Sequence, residues 1–177
     1  MKLPKGLNLE VSIDCDLWQP DFEEYKAIIT SCCSLIYQNV AEGKALEKFS
    51  HIELSVVLCD DELIHKLNND YRNKDKATNV LSFCGLDEDE IDSYLRRDGA
   101  VPDRPFSLGE NYISFEFMNK EADAAGIAFN AHFSHLVLHG ILHLLGYDHI
   151  QDDDAEIMEA LETKLLAILG IDDPYAA

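Results

Sequence analysis

His139, His143 and His149 can meet at one metal ion. They lie in the stretch His139-Gly140-Ile141-Leu142-His143-Leu144-Leu145-Gly146-Tyr147-Asp148-His149. Residues four apart share a face of a helix, so His139 and His143 can chelate together. Gly146 can end that helix in a left-handed conformation that most side chains avoid. The chain can then turn and bring His149 to the same ion. Three neutral imidazoles leave zinc a fourth position for water, which suits a catalytic site better than a structural one. The expected cofactor is one zinc ion.

The spacing matches the protease pattern H-E-x-x-H-x-x-G-x-x-H, whose glutamate is the general base. Here Gly140 stands in that place, so the metal cage is kept and the base is missing. The ligand choice is not automatic. His132, His135, His139 and His143 project within about one quadrant of an ideal helix, which makes His135 with His139 a rival pair. Only His139 and His143 precede Gly146 and His149 at the protease spacing, so that pair is preferred. His135 then becomes a packing or outer-sphere residue, and His132 and His51 surface or strand-end residues. Asp148 has two readings: a turn residue after Gly146, or a carboxylate that orients a ligand histidine. Arg72 also has two. It is a solvated surface arginine, or a clamp whose guanidinium meets phosphate oxygens bidentately. Lys74 belongs to the same basic run, Arg72-Asn73-Lys74-Asp75-Lys76.

These residues need elements to hold them. Leu7, Leu9, Val11 and Ile13 alternate with polar residues, as do Ile52, Leu54, Val56 and Leu58, which predicts two half-buried strands. Helical spacing predicts a helix over about 20–42. Asp60 or Asp61 can cap a short helix with apolar positions Leu63, Ile64 and Leu67. The polar segment 68–78 reads as turns. Val80, Leu81 and Phe83 begin a third strand, and alternation over 111–117 predicts a fourth. Residues 85–108 read as an exposed excursion, long enough to be functional or mobile. A short helix follows from about Met118 to Gly126. Asn130 can cap the histidine helix, which is apolar nearly all round and therefore buried. The last helix opens with Asp152-Asp153-Asp154 at its positive end, with Met158, Leu161, Leu165 and Ile168 as its core stripe. The fold class expected is α+β: a small four-stranded mixed sheet packed with helices, one of them a zincin-like metal-site helix.

Composition narrows the setting. A chain of 177 residues, 47% hydrophobic and 27% charged, fits one catalytic domain over residues 1–177. Neither a secretory signal nor a membrane-spanning run is expected. Five cysteines, an odd count with no Cys-x-x-Cys pair, argue for reduced thiols in a cytoplasmic protein. Cys32 and Cys33 read as small core residues. A net charge of -20 disfavours tight nonspecific binding to nucleic acid.

The motifs carry a resemblance. The stretch from His139 to His149 resembles the signature of the YbeY family of bacterial ribosomal RNA maturation factors. Tyr71-Arg72-x-Lys-Asp-Lys-x-Thr-Asn-Val-Leu-Ser-Phe83 resembles its second signature, and Glu156 through Leu161 and Asp172-Asp173-Pro174-Tyr175 also fit. The resemblance covers about residues 50–175. It implies a metal-dependent endoribonuclease specific for single strands. Its implied substrates are ribosomal RNA precursors, notably the 3′ end of the small-subunit RNA, and defective ribosomes. It further implies zinc on His139, His143 and His149, a functional Arg72, and as partners the small ribosomal subunit and the GTPase Era; DNA is not expected. Two positions depart from the family pattern: Cys84 replaces a usual proline, and Glu110 a usual aspartate. Zinc would lower the pKa of a bound water toward about 7. Either water attacks the phosphodiester, or the ribose 2′-hydroxyl is deprotonated and a cyclic phosphate remains. The rival readings are a metalloprotease, which lacks its glutamate here, and a non-catalytic zinc-stabilised ribosome assembly factor.

Overall fold

The computed structural model describes residues 1–176 and builds them around one mixed sheet. β1 (Leu7–Ile13) and β2 (Ile52–Cys59) pair in parallel. β2 also pairs in parallel with β4 (Phe106–Ser114). β3 (Val80–Cys84) pairs antiparallel with β4, so the order is β1-β2-β4-β3 with β3 on an edge. The α+β expectation holds. Alternate residues of β3 serve opposite faces. Ser82 and Cys84 meet the backbone of α6 (Phe129–Leu144), the histidine helix. Leu81 and Phe83 instead join Ile64, Leu63 and Leu67 of α3 (Asp61–Arg72).

The main core forms where α6 and α1 (Phe22–Asn39) cover the sheet. Trp18 is fully buried there, edge-on to Tyr25 and Phe115 with ring centroids 5.0 and 5.1 Å away. Its indole N–H donates to the Cys59 carbonyl at 2.8 Å, so the buried polar atom is satisfied. In α6, Phe133, Leu136, Val137, Ile141 and Leu144 are all buried, as the all-round apolar pattern predicts. Cys32 and Cys33 are buried core residues, and all five cysteines are free thiols.

Several boundaries differ from the expectation. α1 ends at Asn39 because Val40 is extended; a separate short helix, α2 (Ala41–Ala45), follows. α3 starts at its Asp60 cap, whose side chain accepts from the Leu63 N–H, and runs on through the polar residues to Arg72. Asn68 is buried and donates to the Lys76 carbonyl, and left-handed Asn73 closes the helix. β4 occupies 106–114 rather than 111–117. Its first half crosses a register shift opposite Glu53 and Leu54, with Gly109 at φ +140°. Phe115 to Phe117 open α5 (Phe115–Ala125) instead.

The excursion over 85–108 is docked rather than simply exposed. Asp87 and Glu90 form a capping box for the turn α4 (Glu88–Glu90), and a π-helical turn over Ile91–Arg96 follows. Leu86, Ile91 and Leu95 enter the main core. Asn130 does not cap α6. It lies inside the first turn and donates to Glu24 of α1 at 2.6 Å, while Ala128 holds the cap position. In α7 (Asp152–Ile168), Ile168 is exposed, and the inward stripe is completed by Leu166 and by a charged residue, Glu162.

Candidate metal centre and cleft

α6 presents His139 and His143 on one face, one turn apart. After Leu145 the chain bends at Gly146, whose φ of +98° is open to glycine and strained for other residues. A Cβ there would also lie 2.7 and 2.8 Å from the Ile91 and Arg96 side chains. The loop is tied down twice. The Gly146 carbonyl accepts from Arg96 Nη2 at 2.8 Å, and the Tyr147 hydroxyl donates to Glu42 of α2 at 2.8 Å. Asp148 then accepts from the His149 N–H at 2.6 Å, which is its turn role; no hydrogen bond to an imidazole ring is seen for it among the described residues.

This path brings the third ring home. The His149 centroid lies 5.4 Å from that of His139 and 4.9 Å from that of His143, and the first two are 4.6 Å apart. One nitrogen from each of the three falls within 4.8 Å of the others, and His139 Nε2 and His143 Nε2 are 3.1 Å apart. Ligands about 2.1 Å from a tetrahedral zinc sit about 3.4 Å from one another, so the donor set fits such an ion. Burial, then the neighbouring His139 and His149, pull the His143 pKa down to about 4. The ring is therefore neutral at pH 7, the form that can ligate a metal.

Glu162 touches His135 and His139 and sets the rival pairs apart. It is fully buried, and its Oε1 accepts from His139 Nδ1 at 2.6 Å. That contact places the proton on Nδ1 and leaves the Nε2 lone pair facing His143. Oε2 takes His135 Nε2 at 3.0 Å and the Tyr175 hydroxyl. His135, His139 and Glu162 also cluster tightly enough to hold an ion. In this arrangement, however, their polar atoms already satisfy one another. Burial alone would raise the Glu162 pKa, but the bonds from His135 and His139 outweigh it and hold the carboxyl down at about 2.

Gly140, where the protease pattern has its base, is crowded by a side chain from β4. A Cβ there would lie 2.9 Å from the buried Asn111 side chain. With its amide nitrogen toward β3, Asn111 donates to Ser82 Oγ at 2.8 Å and to the Gly140 carbonyl, while its oxygen accepts from the Ile141 N–H. A neutral amide, held by three bonds, thus packs against the position where the protease pattern has glutamate.

The three histidines line a cleft of about 390 Å3 together with Arg72, Asn79, Ser82, Cys84 and Asp148. Arg72 reaches it from the end of α3 and is exposed. Lys74 is exposed on the loop beyond Asn73 and is not among the residues lining the cleft. The structure thus gathers four of the five expected site residues. Glu162 and Asn111 are two that sequence reasoning missed. A charged residue between Leu161 and Leu165, on the inward face of α7, is the signal that could have found Glu162.

The profile of the family described as Endoribonuclease YbeY matches residues 17–170. The chain belongs to the YbeY family. Proteins called Endoribonuclease YbeY from Paramagnetospirillum magneticum and Rhizobium meliloti are similar to it. The first is 44% identical over 169 residues, 96% of each chain. The second is 38% identical over 175 residues, 96% of this chain and 95% of the relative. The solution structure of TM1509 from Thermotoga maritima shares the fold, with a TM-score of 0.55 at 20% identity, covering 96% of this chain and all of that one. Against the YbeY pattern, the two departures fall in different places. Cys84 is on the cleft, its thiol 3.6 Å from the His143 carbonyl. Glu110 is exposed and accepts from the Tyr112 hydroxyl, clear of the residues that line the cleft.

Proposed function

We propose that this chain is a zinc-dependent endoribonuclease, acting as one catalytic domain in ribosomal RNA maturation at the 3′ end of the small-subunit RNA and in ribosome quality control. One observation carries the reading: three imidazole nitrogens converge beside an arginine in one cleft, while glycine holds the position of the protease's carboxylate and Asn111 packs against it. His139, His143 and His149 would hold the ion, which would supply a Lewis acid and an acidified water. Glu162 fixes the tautomer and aim of His139. Arg72 meets the phosphate oxygens as negative charge grows on them, and Lys74 contacts the RNA backbone outside the cleft. The missing glutamate at Gly140, with Asn111 crowding the site, counts against peptide hydrolysis. The reading places the protein in the cytoplasm, with the small ribosomal subunit and the GTPase Era as partners. No helix among the described residues is long and apolar enough to cross a membrane.

The test is cleavage of a precursor that carries the small-subunit 3′ end, with Arg72→Ala compared at equal zinc content. Removing one charge-stabilising donor should slow turnover by about 100-fold. An unchanged rate removes Arg72 from the mechanism. The -20 charge favours a second reading, an assembly factor targeted by its partners rather than by its own affinity for RNA. Metal-free His139→Ala protein that matches the parent in ribosomal RNA processing would establish that reading instead.

A further inference from the structure

An aromatic row lies on the α3 side of the sheet and ends at Tyr71, the residue before Arg72. Tyr71, on the last turn of α3, is 70% exposed. Its ring packs edge-on against Phe83 at 5.3 Å, and Phe83 packs against Tyr112 at 5.8 Å. Phe83 and Tyr112 are half-buried over the α3 side of the sheet, so they back the row while Tyr71 gives it a free surface. Among the described residues the Tyr71 hydroxyl makes no hydrogen bond. Arg72, which lines the cleft, follows Tyr71 directly and joins the row to it. Ser82 and Cys84 flank Phe83 along β3 but turn to the opposite face, toward α6.

Charge singles out the same spot. Arg72, Lys74 and Lys76 fall within residues 72–76 of a chain with only 14 basic residues. None of the three forms an ion pair among the described residues, whereas Asp75 is taken up by His65 at 2.7 Å. In a protein of net charge -20, a run of unpaired basic side chains leading to the cleft is a place where a polyanion can be received. Aromatic faces beside a basic track are how single-stranded nucleic acids are held without sequence choice, because every unpaired base has a face to stack.

We propose that Tyr71, backed by Phe83, is a stacking platform for one unpaired nucleobase of the RNA, with a neighbouring phosphate held at Arg72. The proposal rests on the endoribonuclease reading and adds to it a physical basis for preferring single strands, since paired bases cannot lie on the ring.

The experiment measures binding of zinc-loaded protein to a fluorescent, fully 2′-O-methylated single strand, verified intact on a gel, with abasic positions scanned along it. Unmodified RNA cleavage is measured in parallel. Tyr71→Ala should weaken binding by about 5- to 20-fold and raise KM with little change in kcat. Tyr71→Phe should keep parent affinity. Tyr71→Leu, which preserves the apolar cover over Phe83, should not. One abasic position should cost the parent the same factor and cost Tyr71→Ala nothing further. Equal binding by Tyr71→Ala, affinity restored by leucine, or losses that simply multiply would overturn the platform while leaving the enzyme reading intact. A parent protein that neither binds nor cuts RNA would overturn both.

Discussion

Replacing Glu162 by glutamine keeps the shape of a fully buried side chain and removes its charge. The carboxylate now receives three donors: His139 Nδ1 at 2.6 Å, His135 Nε2 at 3.0 Å and the Tyr175 hydroxyl. Glutamine has one acceptor oxygen and one amide nitrogen, so it cannot accept from all three. A charge-assisted bond contributes about 1 kcal/mol more than a neutral one, and about 2–3 kcal/mol of orientation energy is at stake over the set. Removing a buried charge also relieves its desolvation, which offsets part of that loss in the fold itself. The metal should feel more of it, because His139 is no longer held in the tautomer with a free Nε2. We expect zinc affinity to fall by about 10- to 100-fold, with a smaller change in the stability of the metal-free protein. Competition against a fluorescent chelator reads the first, and urea unfolding of chelated protein the second. Zinc affinity within about twofold of the parent, with stability lost instead, would refute the orienting role and leave Glu162 a packing residue.

Gly140→Ala should destabilise the fold by about 1–3 kcal/mol in urea unfolding, since the new methyl meets Asn111 at 2.9 Å; in an Asn111→Ala background, itself less stable, the same change should cost less. Arg96→Ala releases the Gly146 carbonyl and should weaken zinc binding by several-fold through a looser His149 loop, as the same chelator competition would report. Cys84 is exposed on the cleft, whereas Cys32, Cys33 and Cys59 are buried. Burial and then Glu88 push the Cys84 thiol up from 9.0, so alkylation should be slow at pH 7 and faster as pH rises. Mass spectrometry should find that adduct at Cys84 before any of the three buried thiols, and it should block RNA cleavage.

What the sequence disclosed follows from how each element is stabilised. β1 and β2 were legible because alternation marks one face of each strand, and α6 because its apolar residues recur nearly all round a buried helix. The three histidines were legible because their spacing encodes their geometry, with Gly146 as the bend. The first half of β4 was hidden by Gly109 and the register shift, which break the alternation. Leu86, Ile91 and Leu95 escaped notice because the run Asp87-Glu88-Asp89-Glu90 and Asp92 between them make the segment read as solvated. Glu162, Asn111 and Arg96 reach the histidine segment through contacts made only after distant segments meet. No local pattern announces such contacts. His135 and Asp148 stood undecided at the sequence level for the same reason, and the Glu162 carboxylate and the His149 amide respectively settle what each one binds.

The central claim is that a metal held by the three histidines cuts RNA. Purified protein with one equivalent of zinc, the same protein stripped by a chelator, stripped protein resupplied with zinc, and His143→Ala should be compared on one single-stranded RNA. The account predicts cleavage by the loaded protein, none after stripping, recovery on resupply, and none by His143→Ala at any zinc concentration that leaves RNA intact. Equal cleavage by stripped protein and by His143→Ala would contradict it.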